Sequence, residues 1–262
     1  MLFYILPTGI EQTLGAGDNC MGSEYLLTGG SGILGTELQK YLYCFSISSK
    51  DWDLTDGAPL FFYNRFQRNL RNVSTIIHTG AYTDVPGAEV DKKQVIETNI
   101  LGTKYVKELA SVLGAKVVYI STDYVYEGAT GNYKETDAPK PSNFYSFTKL
   151  AGESYLDDTD LIIRTSFKPN IQWPYPKAFE DIFTSADYVD VIAPMINKLV
   201  STGACGVFNV GTERKTVHQL AIKRNPSVSK MSKHDVVGVS LPYDVSMNLE
   251  KYNALCSGDK NG

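Results

Sequence analysis

A short apolar strand, Glu24–Thr28, runs directly into Thr28-Gly29-Gly30-Ser31-Gly32-Ile33-Leu34-Gly35, and a segment with helical spacing, Gly32–Tyr43, follows at once. In that segment Ile33, Leu34, Leu38 and Leu42 recur on one side. A glycine-rich turn between a strand and a helix lets backbone N–H groups approach a diphosphate, and the helix N-terminus adds a favourable partial charge. Gly29, Gly32, Ile33 and Leu34 are therefore candidate cofactor-binding residues, and Gly35 is the position that lets the helix pack close to the strand. The other common phosphate loop, in which Gly-Lys precedes Ser or Thr, does not occur at this turn, which argues against an ATPase or GTPase.

The rest of the chain repeats the alternation. Val73–His78, Lys116–Ile120 and Leu161–Arg164 are short apolar runs bounded by polar residues or glycine. Strands of that kind are buried on both faces, as in a parallel sheet. A long amphipathic helix is expected from about Ala88 to Leu113, with Val95, Asn99, Gly102, Val106, Leu109 and Leu113 on one face. Asn99 is polar on that stripe and needs a hydrogen-bond partner. Alternating strands and helices with short links predict an α/β fold, a doubly wound parallel sheet of the Rossmann type.

After Arg164 the pattern loosens, and Pro169, Pro174 and Pro176 interrupt any helix. Order returns with a helix at Tyr188–Leu199, a strand at Val207–Val210 and a helix at Thr216–Ile222. The expected division is a dinucleotide-binding domain over 21–166 and a small substrate cap over 167–262, with elements returning to the sheet. Residues 1–20, with Gly9, Gly15, Gly17 and Pro7 and no sustained period, are expected to be a disordered extension outside the fold.

Charge and composition remove other classes. Lys plus Arg is 25 against 29 for Asp plus Glu, a formal net charge of −4, with no basic block to follow a nucleic-acid backbone. No apolar run approaches the ~20 residues needed to span a bilayer. Cys20, Cys44, Cys205 and Cys256 form no CxxC pair, and His78, His218 and His234 have no ligand spacing. These point to reduced thiols in a cytoplasmic protein without a structural metal.

The second strand, Tyr43–Ile47, ends in Ser48-Ser49-Lys50. Two hydroxyls and a cation suit a ribose 2′-phosphate, so NADPH is the expected cofactor, with NADH the alternative because Asp51 follows. Tyr145-Ser146-Phe147-Thr148-Lys149 places a phenol and an ammonium at i and i+4 on one helix face. A lysine beside a phenol favours the phenolate, so Tyr145 is expected to have a lowered pKa and to exchange a proton with a substrate oxygen. In a chain with 17 tyrosines the spacing alone says little. Its position after the strand that ends in Ser121-Thr122-Asp123 gives it weight, since strand carboxyl ends are where α/β proteins bind ligands. Thr122 is placed to donate to the same substrate oxygen.

Together, Thr28–Gly35, Ser121-Thr122-Asp123-Tyr124-Val125-Tyr126, and Tyr145–Lys149 followed by Leu150-Ala151-Gly152-Glu153 resemble the extended short-chain dehydrogenase/reductases, and among them the dTDP-4-dehydrorhamnose reductase group. Asp53-Leu54-Thr55-Asp56, Ala81-Tyr82-Thr83, Asn99-Ile100-Leu101-Gly102-Thr103 and Arg164-Thr165-Ser166 agree with it, and the likeness runs from about Tyr25 to Lys251. The resemblance implies reduction of the 4-keto group of a nucleotide-linked 6-deoxy sugar. Thr122, Tyr145 and Lys149 would be the catalytic trio, with Lys149 on the nicotinamide ribose. Asp53 and Leu54 would flank the adenine, Gly80, Ala81 and Tyr82 would line the cofactor groove, and Asn99 would stand near the Lys149 end of the site. Asp123, Tyr124 and Trp173 would meet the substrate. Related dehydratases carry Asp-Glu after the catalytic Thr, whereas this chain has Asp123-Tyr124, which favours simple reduction.

The segment between Ser166 and Tyr188 is shorter than in typical members. In it, Trp173 or Tyr175 either stacks on a base or packs on its own domain. A non-catalytic binding or regulatory protein and a sugar-nucleotide epimerase are the rival readings. Many members pair through surface helices, so the partners implied are a nucleotide sugar and a second copy in a homodimer, with no nucleic acid and no membrane.

Overall fold

The computed structural model describes residues 23–236 and 242–256. The extension expected over residues 1–20 lies outside them.

The chain enters through β1 (Tyr25–Thr28), α1 (Ile33–Leu38) and β2 (Cys44–Ile47). Then come α2 (Pro59–Leu70), β3 (Thr75–His78), α3 (Val85–Ala88), α4 (Lys92–Val95) and α5 (Gly102–Leu113). β4 (Lys116–Thr122), α6 (Phe144–Glu153) and β5 (Leu161–Thr165) complete the first part. Four short strands follow: β6 (Phe167–Lys168), β7 (Lys177–Phe179), β8 (Phe183–Thr184) and β9 (Asp187–Tyr188). The last part holds α7 (Val189–Ser201), β10 (Gly206–Val210), β11 (Lys215–Thr216), α8 (Val217–Ile222), β12 (Ser229–Met231) and α9 (Glu250–Cys256).

Six strands form one sheet in the order β10-β5-β4-β3-β1-β2, and every pairing is parallel. Strand order reverses between β1 and β3, so a crevice opens at their carboxyl ends. Helices cover both faces. Leu27, Ile77, Val118 and Ile163 face α1, α7 and α9 through Leu38, Ile192, Ile196 and Tyr252. Leu26, Ile76, Val117 and Tyr119 face α2 and α5 through Phe62, Leu70, Val106 and Leu109. Both faces of each strand are thereby apolar, the reason these runs do not alternate.

Two boundaries differ from expectation for local reasons. The helix expected over 88–113 breaks, because Asp91 caps a new turn by accepting the Gln94 N–H (3.2 Å). The chain then widens into a π turn over Ile96–Leu101 before α5. The apolar face survives the break, since Val95, Asn99, Val106 and Leu109 are all buried. The helix expected over 32–43 ends at Leu38, where the Gln39 side chain folds back onto the Gly30 and Gly35 carbonyls (2.8 and 3.0 Å).

Past β5, a smaller cluster of Trp173, Ala178, Ala186, Tyr188, Leu220, Ala221 and Val228 packs on itself. α7, β10 and α9 return to the main sheet. Among the described residues, no helix is long and apolar enough to cross a membrane.

Candidate active site

Two cavities lie at the carboxyl edge of the sheet. The first, about 560 Å³, is lined by Gly29 and Gly32 from the first turn, Ser48 and Ser49 after β2, Asp53 and Leu54, and Gly80, Ala81 and Tyr82 after β3. Gly29 has φ +70°, and a Cβ there would stand 2.6 Å from the Gly80 nitrogen, so only glycine keeps this wall open. Gly32 caps α1 without any side-chain acceptor, which leaves the first-turn N–H groups to whatever fills the turn. The donor set and the cradle fit a dinucleotide.

Other residues expected in this groove sit elsewhere. Leu34 is core, packed in the cluster beneath the sheet. Gly35 lets α1 pack against the Gly29 backbone. Ile33 and Lys50 are not among the lining residues. Asn99 is buried behind the wall: its Oδ1 accepts the Tyr82 N–H (2.8 Å), while its Nδ2 donates to the Tyr82 carbonyl (3.2 Å) and to Thr148 Oγ1 (3.1 Å). The partner its sequence position demanded is thus the groove wall on one side and α6 on the other. Trp52, Thr79, Gln94, Glu97 and Thr98 also line the cavity. Thr79 was within reach of sequence reasoning, being the residue after β3. Glu97 and Thr98 enter only because the π turn presents them there.

Asp51 does not line the groove. Its carboxylate accepts both the N–H and the hydroxyl of Ser48, each at 2.9 Å, and so closes its own turn.

The second cavity, about 520 Å³, is lined by Asp123 and Tyr124 after β4, Trp173 and Tyr175, Lys168 and Lys177, and apolar side chains that include Phe179, Ile182, Leu220 and Val245. The short 167–187 segment still supplies much of the wall. Trp173 lines this cavity and also packs in the smaller cluster, so of its two expected roles the packing one is seen. Its indole N–H is buried with no protein acceptor. Leu220, Met231 and Val245 reach the wall from distant segments, and no sequence signal marked Leu220 or Met231 for it.

Thr122, Tyr145 and Lys149 are not among the lining residues of either cavity, but their neighbours are. Thr122 ends β4 and directly precedes Asp123 of the second cavity. Tyr145 and Lys149 lie one turn apart on α6, whose start is fixed by a capping box: Asn143 Oδ1 accepts the Ser146 N–H (2.8 Å), and the Ser146 hydroxyl accepts the Asn143 N–H (3.4 Å). Thr148, between them, is tied through Asn99 to Tyr82 of the first cavity.

The electrostatics correct one expectation. Lys149 does not lower the Tyr145 pKa. Burial, and next the charge of Asp123, push that phenol well above its ordinary value, with the Thr122 side chain opposing. The Lys149 ammonium instead lies over the Tyr119 ring, 4.1 Å from its centroid. Burial pulls the Lys149 pKa down to about 7, and the Glu153 charge opposes that. Asp123 is 1% exposed, and its Oδ2 has no protein partner. Burial pushes its carboxyl up to about 6, against the Thr122 hydrogen bond (3.3 Å) and the charge of Lys168.

A doubly wound parallel sheet with a glycine cradle at its switch point, and a Tyr/Lys helix beside its fourth strand, defines a dinucleotide-binding protein of the Rossmann class. More narrowly, the profile of the RmlD substrate binding domain matches residues 23–168, and the chain belongs to that family. It is 32% identical over 138 residues to the dTDP-4-dehydrorhamnose reductase of Mycobacterium tuberculosis (strain CDC 1551 / Oshkosh), covering 49% of this chain and 43% of that protein. It is 32% identical over 153 residues to the reductase of the same name from Aggregatibacter actinomycetemcomitans, covering 54% and 50%. The match thus spans about half the length of these curated relatives. Among solved structures, dTDP-4-dehydrorhamnose reductase from Bacillus anthracis str. Ames in complex with NADP superposes with a TM-score of 0.77 at 27% identity, covering 90% of this chain and 93% of that one. A hypothetical dTDP-4-dehydrorhamnose reductase from Sulfolobus tokodaii gives 0.76 at 28% identity, covering 90% and 96%.

Proposed function

We propose that the protein is an NADPH-dependent 4-keto reductase of a nucleotide-linked 6-deoxy sugar. The observation that carries this reading is the placement of Thr122 and the Tyr145/Lys149 helix beside both cavities: Asp123, next to Thr122, lines the aromatic-walled one, and Thr148 is hydrogen-bonded through Asn99 to Tyr82 of the glycine-cradled groove. Residues 21–166 would hold the cofactor, and 167–262 would supply most of the substrate wall.

NADPH, when bound, supplies the hydride. Gly29, Gly32, Ser48 and Ser49 would hold its phosphates, and Asp53, Leu54 and Ala81 would flank its rings. Asp51 is held in its own turn by Ser48, so of the acidic residues just after β2 only Asp53 lines the groove, while the Ser48 and Ser49 positions there support NADPH over NADH. Lys149 would bind the nicotinamide ribose as an ammonium.

A ketone oxygen that receives a hydride on its carbon must take a proton. A phenol held protonated by burial and by the neighbouring Asp123 carboxylate is suited to give it, so the raised Tyr145 pKa favours an acid over a base. Thr122 would share that oxygen. The unpartnered Asp123 Oδ2 and Trp173 Nε1 are an acceptor and a donor awaiting sugar or base.

The test mixes protein, NADPH and enzymatically generated dTDP-4-keto-6-deoxyhexose, and follows the reduced-nicotinamide absorbance. Steady oxidation that needs both the sugar nucleotide and Tyr145 supports the reading. NADPH binding without oxidation of any 4-keto sugar nucleotide overturns it.

A further inference from the structure

Glu153 lies one turn beyond Lys149 on α6 and is buried, yet the proposed chemistry gives it no task. Its carboxylate is held by three donors from two strands. Oε1 accepts the Ser121 hydroxyl (2.6 Å) and Arg164 Nε (3.2 Å), and Oε2 accepts Arg164 Nη2 (2.8 Å). Arg164 in turn donates through Nη1 to the Tyr126 hydroxyl (3.0 Å), and that hydroxyl donates to Asn209 Oδ1 (2.9 Å). The carboxylate cannot swing away without breaking this chain. A buried ion pair is weak evidence for a stabilising role, because apolar residues of similar volume often replace one without loss.

Besides its partner Arg164, a second buried cation, Lys149, lies one turn back on the same helix and gives the reason. Lys149 enters the interior among groups that do little to hold a proton on it. Tyr119 of β4 presents a ring face. His78 of β3, hydrogen-bonded to Thr28 Oγ1 (2.7 Å), is driven down to about 3 by burial and then by the Lys149 charge, and so stays neutral. Tyr145, on its own helix, stays a phenol. Glu153 is the carboxylate whose charge favours the ammonium. We propose that Glu153, clamped by Arg164 and Ser121, is a positioning residue that keeps Lys149 a protonated ammonium within the cofactor site. The assignment rests on the reading of Lys149 as the ribose-binding cation.

The sign follows. Burial lowers the proton affinity of Lys149 and Glu153 raises it, so removing the Glu153 charge makes the lysine lose its proton at lower pH. NADPH binding then weakens first on the alkaline side.

The test uses ligand-free protein carrying ¹³Cε-labelled lysine, with the Lys149 resonance assigned by its loss in Lys149→Arg, and a parallel NADPH titration by fluorescence. In Glu153→Gln the Lys149 midpoint falls by about one pH unit or more. The NADPH Kd rises about tenfold near pH 8 and changes by less than ~2-fold near pH 6. Glu153→Asp, which keeps the charge, restores most of the midpoint. Because Glu153→Gln strands Arg164 without its counter-charge, Glu153→Gln/Arg164→Met is measured beside it and shifts Lys149 in the same direction. An unchanged Lys149 midpoint in both, or an NADPH affinity that falls equally at both pH values, overturns the proposal and makes Glu153 a merely structural residue. A wild type that binds NADPH but reduces no sugar nucleotide overturns the reductase reading alone, and the lysine titration still decides Glu153.

Discussion

The two cavities at the sheet edge are close in volume but are built by different means. The first is a backbone site, assembled from turns that leave consecutive strands β1, β2 and β3. Its decisive features are an atom that is absent at Gly29 and a cap without a side chain at Gly32. The second is a side-chain site, drawn from residues as far apart as Asp123, Leu220 and Val245. Backbone sites tolerate little substitution at few positions. In side-chain sites a few buried anchors carry most of the energy, so most single changes there tune rather than abolish.

The hardest test of that contrast is the junction. Tyr145→Phe removes the proton donor and nothing else, so kcat should fall by about 10²–10⁴. NADPH affinity should stay within ~2-fold, since the phenolic hydroxyl adds no phosphate contact. A large loss of NADPH affinity would mean that the junction belongs to the first cavity alone.

Next is Asp123 in the second cavity. Its carboxyl is raised to about 6 in the folded chain, so above that pH the folded state carries an ionised group that burial disfavours. The penalty shrinks as pH falls through the window toward the ordinary Asp value and is absent below it. Asp123→Asn should therefore stabilise the protein at pH 7 by up to roughly 3 kcal/mol, with the gain fading toward pH 4. Denaturant titrations at both pH values check the sign, and a destabilised variant at pH 7 would show that the charge is already compensated.

In the first cavity, Gly29→Ala forces a left-handed residue and a Cβ against the Gly80 backbone. The cost is about 1–2 kcal/mol of strain before any clash, or a tenfold or greater rise in NADPH Kd. Substrate-wall probes such as Trp173 fluorescence should be unaffected. The smallest effect belongs to Trp173→Phe, which keeps a ring but deletes the unpartnered N–H. One neutral hydrogen bond is worth ~0.5–1.5 kcal/mol, so KM for the sugar nucleotide should rise about 3–10-fold at constant NADPH Kd. If Gly29→Ala proved milder than Trp173→Phe, the contrast between the cavities would be reversed.

The same contrast explains what could be read in advance. β1, β3, β4 and β5 were visible because strands covered on both faces are apolar runs. The glycine turn and the Tyr145/Lys149 pair were visible because their spacing is local. Tyr145's ionisation was misread because the i, i+4 rule brings Lys149 near but cannot say which ring its ammonium meets, and Tyr119 comes from another element. The break at Asp91 was missed because the buried face keeps its spacing straight through the π turn. α9 lies at the far end of the chain, and its place against β10 depends on Tyr252 and Cys256 finding a core assembled by other segments.

β10 is separated from β5 by residues 166–205 yet pairs with it residue for residue, from Gly206 opposite Leu161 to Val210 opposite Thr165. The segment between, which includes α7 packed on the sheet, is therefore held at both ends in neighbouring strands about 4.8 Å apart and is not an appendage on a single tether. A single proteolytic nick inside it would leave both pieces anchored in the sheet. During folding, the sheet cannot gain its last strand until some forty intervening residues have been gathered, at a closure cost that grows only with the logarithm of their number.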